Sequence, residues 1–169
     1  EKEPNYIYTS GNFRESIWTY AGRAQYALGR HEEARRSFQR ALASYRDDAM
    51  ARLYLGLALA RSGDRQQGLR HIQMGLKGLS QWIEFLNTSR PYYAFWDPNG
   101  EIRKEIDKTL ALTEGERATP LEPVLASAEW IGRQMEEEID KVRRDEQREF
   151  RRDLDPGRGG FGFGLGIGF

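Results

Sequence analysis

The sequence predicts an all-α protein made of stacked helical hairpins, closed by further helices and a long C-terminal helix that leads into a glycine-rich extended tail. Three observations carry this. Glycine and apolar positions in the first half recur at a fixed offset of 34 residues. Hydrophobic residues return at three- and four-residue steps over most of the chain, the period of a helix with one buried face. The composition is hydrophilic, with 31% charged residues and a mean hydropathy of −0.77, which suits solvated helices better than a sheet protein.

Residues 1–13 (EKEPNYIYTSGNF) mix Pro, Gly and aromatics without a helical period and read as an extended N-terminal segment. Residues 14–115 form a helical domain. Its periodic stretch runs from about Glu15 to Leu86, with breaks at LGRH and RSGD. The Pro, Gly, Asn and Asp of NTSRPYYAFWDPNG predict a loop over residues 88–100. A helix follows over Ile102–Leu112, marked by Ile102, Ile106, Leu110 and Ala111. TEGERATP breaks the pattern again. Residues 116–155 hold the longest helix, from Leu121 to about Leu154, with Pro120 near its start in a favoured position. Its apolar stripe is dense up to Met135 and thins to Ile139, Val142 and Phe150, so the part beyond about Glu136 is expected to project, as a solvated arm or as a surface for another chain. Residues 156–169 form the tail.

The repeat aligns Gly22 with Gly56, Gly29 with Gly63, Ala34 with Gly68, Phe38 with Ile72, Ala41 with Gly75 and Leu42 with Leu76, always 34 residues apart. Each unit reads as two helices and a tight turn. Gly29 and Gly63 stand where the first helix must end and reverse. Gly22, Gly56 and the small residues of the second helices allow close approach, and Phe38 and Ile72 fill the space between. A glycine in a helix interior costs up to about 1 kcal/mol against alanine, so the three glycines of the second unit's second helix imply close packing.

This period and these positions resemble the tetratricopeptide repeat (TPR) family over about residues 15–82. Trp18, Gly22, Ala34, Phe38 and Ala41 match its signature in the first unit; Leu55, Gly56, Gly68, Ile72 and Gly75 take the equivalent or near-equivalent places in the second. Gln25 and Leu59 stand where the family has tyrosine, and Arg46 and Ser80 where it has a closing proline. Two units are fewer than a stable array needs, so the later helices are expected to complete the stack. The resemblance implies a concave groove lined by the first helix of each unit: Thr19, Tyr20, Arg23 and Tyr26, then Leu53, Tyr54, Leu57 and Arg61. That mix suits a peptide or a partner helix. The alternative is that the protein's own loop buries part of this face.

Several functional classes find no support. Lys+Arg and Asp+Glu balance at 26 each, so no global field draws the chain to nucleic acid. No run of eighteen apolar residues predicts a transmembrane helix. Cysteine is absent, which removes disulfides, thiolate metal sites and a cysteine nucleophile. His31 and His71 sit in no catalytic or metal-ligand spacing, and the carboxylates fall in charge runs typical of an exposed helix face. GRGGFGFG lacks the lysine and following helix of a phosphate loop. No enzyme activity, cofactor or metal is expected.

Two segments remain. Tyr92, Tyr93, Phe95 and Trp96 crowd into the loop, either sealing the open end of the stack or docking a partner. In the tail, Phe161, Phe163, Leu165, Ile167 and Phe169 alternate with glycine. As a strand this would set every large side chain on one face and bare backbone on the other. It reads as a docking segment, and its end resembles ligands of PDZ domains and the terminal strand of bacterial outer-membrane barrels. The expected function is a non-enzymatic adaptor, scaffold or assembly subunit of a larger complex, a membrane-associated one included, that binds protein partners through groove and tail. The alternative is a structural protein that self-associates head to tail. The absent initial methionine, the lack of cysteine and the tail lead us to expect an exported, periplasmic bacterial protein, with the cytoplasm as the other setting.

Overall fold

The computed structural model describes residues 6–10, 13–89, 97–114 and 120–154. Strands β1 (Ile7–Ser10) and β2 (Phe13–Ser16) precede helices α1 (Ile17–Ala27), α2 (His31–Ser44), α3 (Ala49–Arg61), α4 (Arg65–Ser89), α5 (Glu101–Glu114) and α6 (Leu121–Leu154). The fold is the expected all-α one, with α1–α2 and α3–α4 as two successive helical hairpins. The aromatic-loop residues Tyr92, Tyr93, Phe95 and Trp96, and the tail residues Phe161, Phe163, Leu165, Ile167 and Phe169, lie outside the described residues.

Both hairpins turn the same way for the same reason. Gly29 and Gly63 adopt φ of +73° and +98°, where a side chain is strained. The amides of Gly29 and Arg30 return to the carbonyls of Tyr26 and Gln25, and those of Gly63 and Asp64 to Ala60 and Leu59. This is the two-bond helix ending that a left-handed residue permits. The other repeat glycines serve packing. A Cβ on Gly22 would lie 2.5 Å from the Phe38 ring, and one on Gly56 2.5 Å from the Ile72 amide nitrogen.

α3 is apolar all round and buried on nearly every side, as a helix in the middle of a stack must be. Phe38, Leu53, Leu57, Ile72, Leu76, Leu79 and Ile83 are fully buried around it. α5 adds Ile102 and Ile106 to this core, and α6 adds Val124, Leu125, Ala128, Ile131, Met135, Ile139 and Val142.

The structure corrects the sequence reading at three places. The N-terminal segment is not merely extended. Ile7 pairs with Ser16 and Ser10 with Phe13 in an antiparallel hairpin, so Glu15 lies within a strand rather than opening α1. Burial holds this hairpin down: Phe13 packs edge-on against Trp82 at 4.7 Å, and Glu15 and Ser16 are buried. α4 continues to Ser89, past the expected end at Leu86. Finally, α6 does not project from Glu136: Ile139 and Val142 are buried, and Arg143 still reaches α1.

Candidate functional site

α6 crosses the face made by the first helices of the two hairpins. Its residues meet that face at a seven-residue spacing: Glu122, Glu129, Glu136 and Arg143. Arg61 bonds Glu122 and Glu129 at 3.1 Å each. The Tyr26 hydroxyl donates to Glu129 at 2.6 Å and the Tyr54 hydroxyl to Glu136 at 2.5 Å. Arg23 faces Glu136 at 3.6 Å, and Arg143 donates to the Tyr20 hydroxyl at 2.8 Å. Gly132 makes the approach possible, because a Cβ there would stand 2.7 Å from the Tyr54 hydroxyl oxygen.

The groove is therefore occupied in part by the protein's own long helix, where the sequence had suggested a loop. Thr19 and Leu57, expected on the groove surface with Leu53, are wholly buried. Their positions on α1 and α3 turn them into the hairpin interior, so they present no surface to a partner. Tyr20, Arg23, Tyr26, Tyr54 and Arg61 are brought together along the edge of α6. Between them and Glu129, Arg133 and Glu136 runs a cleft of about 660 Å³, lined also by Gly29 and His31. A second cleft of about 390 Å³ lies between Tyr6, Ile17 and Tyr20 on one side and Arg143 and Gln147 on the other.

Below the cleft sits a buried polar layer. Glu15 is 1% exposed and takes the Arg23 guanidinium at 2.9 Å. Burial pushes its carboxyl up to about 7, against the pull of Arg23. Asp48 is wholly buried and ties three elements together. It accepts from the Ser16 amide at 2.9 Å, the Thr19 hydroxyl at 2.6 Å and the Ala51 amide at 2.8 Å, so it caps α3 while anchoring the start of α1. Burial raises its pKa too, opposed by the hydrogen bond from Thr19. The Tyr26 and Tyr54 hydroxyls are pushed well above the usual tyrosine range, first by burial and then by the carboxylates they face. Both stay protonated as donors. Tyr26 packs edge-on against Tyr54 at 5.7 Å, and Tyr54 stacks on Phe38 at 5.9 Å, which ties the groove wall to the core.

Such a surface offers donors, rings and paired charges. Among the described residues, no cluster of three or more His, Asp or Glu could hold a metal ion, and no helix is long and apolar enough to cross a membrane. His31 packs on Tyr26 at 5.1 Å, and His71 sits on α4, where burial and Arg52 lower its pKa. Sequence reasoning missed Glu15, Asp48, Glu129, Gly132, Glu136 and Arg143. The strict heptad of Glu122, Glu129 and Glu136 was the available signal, and it lay hidden within charge runs that read as a solvated face.

The tetratricopeptide repeat family matches residues 15–48, the end of β2 through the first residue before α3. The chain thus contains a tetratricopeptide repeat (TPR) over those residues, which form the first hairpin, and the second hairpin repeats its turn geometry 34 residues on. No curated protein and no solved structure matches the chain. Repeats of this family typically mediate protein–protein interaction and are typically non-catalytic, so the TPR hairpins suggest an adaptor role.

Proposed function

We propose that this TPR protein is a non-enzymatic adaptor or assembly subunit of a larger complex, and that it engages a protein partner along the cleft beside α6. One observation carries the reading: five groove side chains, Tyr20, Arg23, Tyr26, Tyr54 and Arg61, converge on a cleft large enough for several side chains of a partner. Tyrosine and arginine are the residues that anchor protein interfaces most strongly. Crosslinking from a photoreactive residue at Tyr26, in the full chain and in its native host, tests it. A discrete crosslinked partner that is lost on Arg61→Glu supports the cleft. A partner list unchanged by that substitution sinks it.

The alternating tail favours a second surface, with Phe161, Phe163, Leu165, Ile167 and Phe169 as its anchors and self-association as the alternative use. Deletion of residues 159–169 separates the two. Loss of a foreign partner makes the tail an anchor, whereas a concentration-dependent mass that vanishes with it makes the protein self-assembling. Tyr92, Tyr93, Phe95 and Trp96 belong to the same proposal as a further docking patch. The exported, periplasmic bacterial setting is also part of it, and fractionation of the native host tests that.

A further inference from the structure

The groove and the helix lying in it are opposite in charge where they meet: Arg23 and Arg61 face Glu122, Glu129 and Glu136. The acidic residues of α6 gather in its first part, with six over residues 121–140 against the single basic Arg133, while the helix as a whole carries ten acidic and seven basic residues. Seven residues fall about 20° short of two full helical turns, so Glu122, Glu129 and Glu136 form one stripe on α6. Each carboxylate meets its own donor set: Arg61 alone, then Arg61 with Tyr26, then Arg23 with Tyr54. These donors recognise carboxylate by geometry as well as charge. The contact is graded. Glu122 is 73% exposed at one end and Glu136 36% at the other, and the cleft stays open beside them.

We infer that the groove is a receptor for an acidic amphipathic helix with carboxylates seven residues apart, that α6 is its resident occupant, and that a partner helix of the same chemistry competes with α6 for Arg23, Tyr26, Tyr54 and Arg61. The inference deepens the adaptor reading above and rests on it, because it specifies what the cleft beside α6 binds. Charge complementarity between repeats and helix selects this occupant over an apolar or basic one. The exposed rung at Glu122 is where competition begins, since exposed ion pairs hold weakly.

The test uses the full chain and a fluorescent synthetic peptide of residues 121–145, beside the same peptide with Glu122, Glu129 and Glu136 changed to Gln. Anisotropy titration should show the glutamate peptide binding roughly tenfold more tightly than the glutamine peptide, with the preference fading as salt rises. Glu129→Gln in the full chain loosens the resident helix and should tighten the glutamate peptide by a further factor of roughly ten. Arg61→Ala, which removes the donor of Glu122 and one of the two at Glu129, should reduce the preference. Should a full-chain variant lose its helical circular dichroism, the discrimination between the two peptides by the unaltered chain decides alone. Equal binding of both peptides overturns the inference. So does a chain dimer that the peptide dissociates, which would make a second copy the occupant. A Tyr26 crosslink to a partner, with no discrimination between peptides, would leave the adaptor reading standing and remove this one.

Discussion

In the first hairpin, a Cβ added to Gly22 would meet the ring of Phe38; in the second, a Cβ on Gly75 would stand 2.6 Å from the Leu53 amide nitrogen, and one on Gly68 2.8 Å from the Ala60 amide nitrogen. A ring can turn, at a cost of roughly 1 kcal/mol for an off-rotamer side chain, whereas main chain in a packed helix cannot give way. The same 34-residue spacing thus produces two kinds of contact. The second hairpin is joined backbone to backbone, with α3 buried on nearly every side. The first is joined through a side chain and keeps one flank for the polar groups of the groove. Repeats that align in sequence need not divide their labour equally: here one hairpin supplies the rigid platform and the other most of the polar side chains that meet α6.

The sharpest way to break this comparison is to add one methyl group to each hairpin. Gly75→Ala should cost about 3 kcal/mol or more, since overpacking here finds no side chain to move. Its measure is the urea midpoint. Next in size is Asp48→Ala, which strips the α3 cap and leaves the buried Ser16 amide and Thr19 hydroxyl without their acceptor. A loss of about 2–3 kcal/mol is expected. Amide hydrogen exchange should rise in β2 and α1 well before α4, and uniform acceleration through both hairpins would deny that Asp48 is the joint between them. Gly22→Ala should fall within about 1 kcal/mol of the parent protein, because helix propensity offsets the displaced ring. If Gly22→Ala proves as damaging as Gly75→Ala, the contrast between ring and backbone contact is wrong.

A separate effect concerns pH. Glu15 has a folded pKa of about 7 against an ordinary 4.5. Between those values the folded state holds a proton that the unfolded chain has lost. The contribution of Glu15 is therefore complete below about pH 4.5 and is lost as pH rises through 7. Stability should decline over that window by at most about 1.4 kcal/mol per pH unit. Glu15→Gln should flatten the decline. An unchanged slope in that variant assigns it to another group.

The hairpins were legible in the sequence because glycine reports geometry. Gly29 and Gly63 mark the turns and Gly22 and Gly56 the close approaches, and none depends on a distant partner. Helices α5 and α6 were legible for a related reason, since Ile102, Ile106 and the stripe from Val124 to Val142 show their period locally. The β-hairpin was harder. Strands of four residues show too little alternation to stand out, and what fixes β2 is Phe13 against Trp82, residues far apart in sequence. The groove surface failed in the same way. Tyr20, Arg23, Tyr26, Tyr54 and Arg61 could be named, but their occupant lies up to 123 residues away. Nothing local tells Glu129 or Glu136 from the exposed carboxylates around them. Thr19 was misread because it took its groove position from the family's pattern, while the partner that buries it, Asp48, lies 29 residues away.

The distance between groove and occupant sets a timetable for synthesis. Tyr26 and Glu129 are 103 residues apart in the chain. A ribosome adding roughly 5–20 residues per second needs about 5–20 s to travel from one to the other. Over that interval the two hairpins are already made, and Arg23 and Arg61 have not yet met the carboxylates of α6. The newborn repeats thus pass through a stage in which Arg23 and Arg61 stand uncovered by a helix that has yet to be made.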